Sequence, residues 1–109
     1  MNGLVIENFD SYREYLCNFF KNNRKNIREI FKMFNIKFNN NRERIQAYGK
    51  LANMYLYKLD KQDLGIDDFE YFLFDVFMPK AFRKISNDSE LRKKFTNEIY
   101  IFISEKAKI

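Results

Sequence analysis

The chain is 109 residues long, with 20 Lys or Arg, 15 Asp or Glu and no His, and its formal net charge at neutral pH is +5. That length suits one compact domain, residues 1–109, whose core needs no staples. The lack of His removes the Ser-His-Asp and Cys-His arrangements, and one cysteine gives neither a disulfide framework nor a zinc cluster, so no catalytic residue, cofactor or metal is expected. No small-molecule substrate is expected either. The lone cysteine makes a reducing, cytoplasmic setting the default. Leu4-Val5-Ile6 is far shorter than a signal sequence, and nothing reads as a membrane span. Aromatics make up 18% of the chain, but they accompany the excess of Asn, Lys and Ile typical of an AT-rich coding sequence, so a given ring is assigned to core before base stacking.

Residues 1–8 are expected to be loose. Ser11-Tyr12-Arg13-Glu14 then has the spacing of a capping box and opens a first helix. Its buried face is Tyr12, Tyr15, Leu16, Phe19 and Phe20, with Cys17 at the edge as a small packing residue, and Asn22 and Asn23 break it. A second helix from about Asn26 to Phe38 places Ile27, Ile30, Phe31, Phe34 and Phe38 on one face. At about 100° per residue, Lys21, Lys25, Arg28 and Lys32 fall together about a third of a turn away. They form a basic stripe, for which a plain solvated face is the other reading.

Asn39-Asn40-Asn41 is a turn cluster. From near Arg42 a third helix repeats Ile45, Tyr48, Ala52, Tyr55 and Leu59 at steps of three and four, with Leu51 and Leu56 widening the stripe and Gly49 inside it. That glycine costs about 1 kcal/mol relative to Ala, and a close helix crossing would explain it. Asp60 to Gly65 supplies the next turn. It fails as a calcium loop, because Gln62 and Leu64 stand where oxygen ligands are needed and Tyr71 where the bidentate Glu belongs. Asp67, Asp68 and Glu70 are instead read as caps and dipole partners of a fourth helix.

That fourth, central helix, near 67–78, is apolar nearly all round: Phe69, Phe72, Leu73, Val76 and Phe77 follow the helical repeat, and Tyr71, Phe74 and Met78 add surface elsewhere. Pro79 breaks or kinks it, leaving Lys80 to Ile85 as a kinked continuation or a separate short helix. Ser86-Asn87-Asp88-Ser89 caps a fifth helix that turns Leu91, Phe95, Ile99, Phe102 and Ile103 inward. Ile99 to Ile103 is β-branched and aromatic enough for a strand, but no partner strand is visible and helix is preferred. The expected fold class is all-α, a single compact bundle of about five helices.

Charge is uneven along the chain. Lys21 to Lys50 holds nine Lys or Arg against two Glu, Asp60 to Asp75 one Lys against six acids, and Lys80 to Lys94 is basic again. Basic surface attracts phosphates, and rings beside it can stack on unpaired bases. A protein with one positive and one negative face can also pair head to tail with its own copies.

Four local stretches add to this reading: Asn26-Ile27-Arg28, Tyr55-Leu56-Tyr57-Lys58-Leu59-Asp60-Lys61, Ile66-Asp67-Asp68-Phe69 and Lys93-Lys94-Phe95-Thr96-Asn97-Glu98. From about Arg24 to Lys106 their order resembles the small all-helical subunit of type III-A (Csm) CRISPR effector complexes. The chain departs from that family where an Ala-Gly-Arg-like segment is replaced by Leu59-Asp60-Lys61, since Lys lacks the planar fork of Arg. Its ending is also altered, to Ile103-Ser104-Glu105-Lys106. The resemblance implies a noncatalytic subunit that stacks with its copies beside larger effector subunits and lies along guide and target RNA.

The cations expected on the backbone of single-stranded RNA are Arg28, Lys32 and the motif-matched Lys61, followed by Arg42, Arg44, Lys93 and Lys94. The acids Asp60, Asp63, Asp67, Asp68 and Glu70 are expected to face protein, because acidic surface repels RNA. Two other readings compete. A small helical inhibitor or immunity protein would bind one protein target through that acidic face. A helix-turn-helix DNA binder would read bases with Arg42, Arg44 and Gln46, although its turn is Asn-rich and its reading helix apolar over much of its circumference.

Overall fold

The computed structural model describes residues 9–108, in which α1 (Phe9–Met33), α2 (Asn41–Asp60), α3 (Ile66–Phe74), α4 (Arg83–Ser86) and α5 (Ser89–Lys106) follow one another. A 3-10 turn, Lys80–Phe82, leads into α4, and there is no strand among the described residues. The all-helical bundle read from the sequence is the fold, and Ile99 to Ile103 is helical. The expected loose start and Leu4-Val5-Ile6 lie outside the described residues, as do the side chains of Ser11, Tyr12, Tyr15 and Leu16.

α1 corrects four expectations. It runs straight through Asn22 and Asn23, because Asn23 is buried and its Nδ2 donates to the Phe19 carbonyl at 2.9 Å, one turn back. Ser11 therefore lies inside the helix and not ahead of it, and Cys17 is exposed, not packed. The helix also stops at Met33, short of Phe38. Asn35 takes a left-handed φ of 56°, the Ile36 amide donates to the Phe31 carbonyl at 2.9 Å, and the Asn35 amide to the Lys32 carbonyl at 3.0 Å. That is a Schellman stop with Asn in the usual glycine place, and it brings Ile36 back toward Phe31.

Asn40 caps α2 by accepting from the Glu43 amide at 3.0 Å, and the Glu43 carboxylate reaches back to Asn39. The buried stripe of α2 is Ala47, Leu51, Ala52, Met54 and Lys58, so Leu51 and Ala52 are buried as expected while Ala47, Met54 and Lys58 join them and Ile45 is 63% exposed. Lys58 is held inside by donating to the carbonyls of Gln62 at 2.6 Å and Leu64 at 2.9 Å, with Nζ over the Tyr100 ring. Gln62 in turn donates to the Ala107 carbonyl at 2.6 Å, tying the last turn of α5 to the end of α2. Gly49 marks no helix crossing, since a Cβ there would meet nothing within 4 Å.

Gly65, with no capping side chain, precedes α3, so Asp67 and Asp68 are first-turn partners of the helix dipole and not caps. α3 buries Phe69, Leu73 and Phe74 against α2 and α5. It ends at Phe74, ahead of Pro79, where Asp75 closes onto the Tyr71 carbonyl at 2.8 Å and Phe77 takes a φ of 50°. Pro79 then starts the 3-10 turn, so Lys80 to Ser86 forms separate short helices. Phe82 from that turn is fully buried, its ring 5.9 Å from Phe31, 6.4 Å from Phe74 and 5.1 Å from Phe95. It joins α1, α3 and α5 at one point. Burying such a ring contributes about 1.5–3 kcal/mol.

Candidate nucleic-acid interface

The C-terminal half of α1 packs on the N-terminal half of α2 through rings. Tyr48 sits 5.3 Å from Phe31, 5.9 Å from Phe20 and 6.4 Å from Phe38. Over these rings lies an open groove of about 610 Å³, with Arg24, Arg28 and Lys32 on the α1 wall and Arg44 and Tyr48 on the α2 wall. The three α1 cations recur every four residues, which puts them about 6 Å apart along one face.

Among the described residues Arg24, Arg28 and Lys32 make no ion pair, and all three are exposed. Arg44 is also exposed and donates to the neutral side-chain oxygen of Asn41. Burial pushes the Tyr48 phenol above its ordinary value, while the nearby positive charges of Arg28, Arg24 and Arg44 pull it back in part. At neutral pH Tyr48 is therefore a protonated donor beside four cations. Such a set offers positive charge and hydrogen-bond donors to an anion.

The expected RNA contacts divide. Arg28, Lys32 and Arg44 come together in this groove, joined by Arg24 and Tyr48, which were not singled out from the sequence. Arg24 could have been found there, one turn before Arg28. Tyr48 could not, because its place depends on α1 packing against α2. Arg42 points to the other side of α2 and lines a second groove. Lys61 caps the far end of α2, about 25 Å along the helix from Arg44. Lys93 and Lys94 lie in the first half of α5, where Lys94 pairs with Glu90 at 3.0 Å.

The acidic residues divide as well. Asp60, Asp63, Asp67 and Asp68 are exposed, whereas Glu70 turns onto α5 and pairs with Arg92 at 3.3 Å. The same guanidinium holds Asp75 at 2.9 Å and lies 4.7 Å from the centre of the Phe74 ring.

The second groove, about 1120 Å³, lies between α2 and the chain from Phe72 to Lys80. Lys50 crosses it to donate to the Val76 carbonyl, and burial pushes that ammonium below its ordinary value. Tyr57 stacks on Phe72 at 5.0 Å and 14°.

No protein-family model, curated protein or solved structure matches the chain. Among the described residues no three His, Cys, Asp or Glu gather as a metal site, and no helix is long and apolar enough to cross a membrane.

Proposed function

We propose that this protein is a noncatalytic RNA-associated subunit that holds the sugar-phosphate backbone of a single strand in the groove between α1 and α2. The supporting observation is the convergence of Arg24, Arg28, Lys32 and Arg44 on one groove, where none of them makes an ion pair among the described residues. Uncompensated cations on a rigid wall release counterions when phosphates replace them, which is the main source of sequence-independent affinity for nucleic acid. The rings beneath add a surface on which an unpaired base can lie.

In this reading the exposed acids Asp60, Asp63, Asp67 and Asp68 face neighbouring protein, since they would repel the strand. The resemblance to the small subunit of type III-A effector complexes supplies the setting: copies stacked beside larger subunits in the cytoplasm, along guide and target RNA.

The test is the combined Arg28→Ala and Lys32→Ala variant, titrated with a labelled single-stranded RNA at several salt concentrations. Both residues are exposed, so the fold is expected to persist. Affinity should fall, and the slope of log affinity on log salt should flatten by about 1.4, the share of two single-strand phosphate contacts. RNA binding unchanged at every salt concentration would exclude this groove as the interface.

A further inference from the structure

We propose that the groove between α2 and the 75–80 segment is the docking site for an amphipathic helix of another protein, anchored on Phe77 and carrying carboxylates at the end that meets Arg42 and Lys80. The inference is independent of the RNA reading and concerns the opposite side of α2.

Phe77 is 94% exposed and has a φ of 50°, a backbone region that a bulky side chain keeps only where its surroundings impose it. Here they do. Arg92 holds the Asp75 carboxylate at 2.9 Å, Lys50 holds the Val76 carbonyl, and Pro79 is buried. The ring therefore stands in solvent on a fastened stalk. Because the backbone beneath the ring is already held, a partner that covers Phe77 need not order the loop first, and a large exposed ring on an ordered backbone is the character of an interface anchor. Phe72 and the stacked Tyr57, itself 45% exposed, continue the apolar floor behind it.

Length and charge identify the occupant. Residues lining the groove run along α2 from Arg42 to Asp60, about 27 Å, the length of a helix of about five turns. Phe72 stacks on Tyr57 and Val76 meets Lys50, so the loop runs back toward the start of α2 and carries Lys80 to the Arg42 end. That end holds two exposed cations and the positive pole of α2, and the other holds Asp60 and the negative pole. Glu43, also in the groove, has its carboxylate engaged by Asn39. A partner helix antiparallel to α2, with Glu or Asp near its C-terminus, complements both ends. An RNA strand would meet Asp60 unfavourably.

The probe is a fluorescent amphipathic peptide of about five turns with a Leu stripe and three Glu at its C-terminal end, compared with the same peptide ending in three Lys. The Glu peptide should bind at least about tenfold more tightly than the Lys peptide, and Phe77→Ala should cost about tenfold, as for one aromatic anchor. Combining Arg42→Glu with Lys80→Glu should reverse the preference, while the Arg28→Ala, Lys32→Ala variant should bind the peptide normally. Circular dichroism of Phe77→Ala guards against a folding artefact. Absent binding, equal binding of both peptides, or indifference to Phe77→Ala would overturn the proposal. Concentration-dependent self-association abolished by Phe77→Ala would overturn it in favour of a second copy, and single-stranded RNA binding lost in that variant in favour of nucleic acid.

Discussion

The two sides of α2 use their cations in opposite ways. Toward α1, Arg24, Arg28 and Lys32 make no ion pair among the described residues and are exposed over a floor of rings. Toward the 75–80 segment, Lys50 is consumed by the Val76 carbonyl and Arg92, from α5, by Glu70 and Asp75. The first set is free to meet an external anion, whereas Lys50 and Arg92 fix the shape of a loop and leave only Arg42 and Lys80 exposed at one end of that groove. A count of Lys and Arg cannot separate these roles, whereas the inventory of partners separates them residue by residue.

Arg92→Ala is expected to have the largest effect on that contrast. It leaves two carboxylates unpaired around the buried Phe74 ring and should destabilise the protein by about 1–3 kcal/mol in urea unfolding. Amide exchange should accelerate at 75–79 and not between Arg24 and Tyr48, and RNA affinity should hold. Arg92→Lys should recover only part of the loss, because an ammonium cannot bridge two carboxylates as a guanidinium does. Faster exchange in both regions would mean that the two sides of α2 are not independent.

Alkaline pH separates the sides by sign. From the lowered value of Lys50 up to the ordinary 10.5, the unfolded chain holds a proton that the folded one has released, so stability rises with pH. From 10.0 up to the raised value of Tyr48, the folded chain keeps a proton that the unfolded one loses, so stability falls. Urea midpoints from about pH 8 to about pH 11 should lose the rise in Lys50→Met and the fall in Tyr48→Phe. Loss of the same limb in both variants would break the assignment.

The smallest expected effect is that of Gly49→Ala. Its Cβ would enter open space on the Phe77 side, so the substitution should stabilise α2 by about 0.4–1 kcal/mol through helix propensity, with RNA affinity unchanged. A loss of stability would reveal a partner for Gly49 in solution.

Much of the fold was legible wherever its signal was local. The cap at Asp88 and the apolar repeat of Ile27, Ile30 and Phe31 each act within one or two turns. What escaped depends on the chain elsewhere. Asn23 reads as a breaker until its amide is seen bonded back to Phe19, and Lys58 reads as surface until the Leu64 carbonyl folds over it. The end of α3 ahead of Pro79 rests on Lys50, from the previous helix, holding Val76. In the basic groove, Arg28 and Lys32 could be picked out as neighbours on one helix. Their meeting with Arg44 required α1 and α2 to pack through Phe31 and Tyr48. Lys61, Lys93 and Lys94 carry the same charge, and only geometry sets them apart from the groove.

The Gln62 tether also bears on how the molecule can be handled at the bench. Because the Ala107 carbonyl is fastened to Gln62, at the far end of α2, a linker joined after Lys108 starts about 25 Å from the Arg44 end of the basic groove. A dye or immobilisation tag there would leave the groove clear, so binding can be followed on a surface without masking the cations under study.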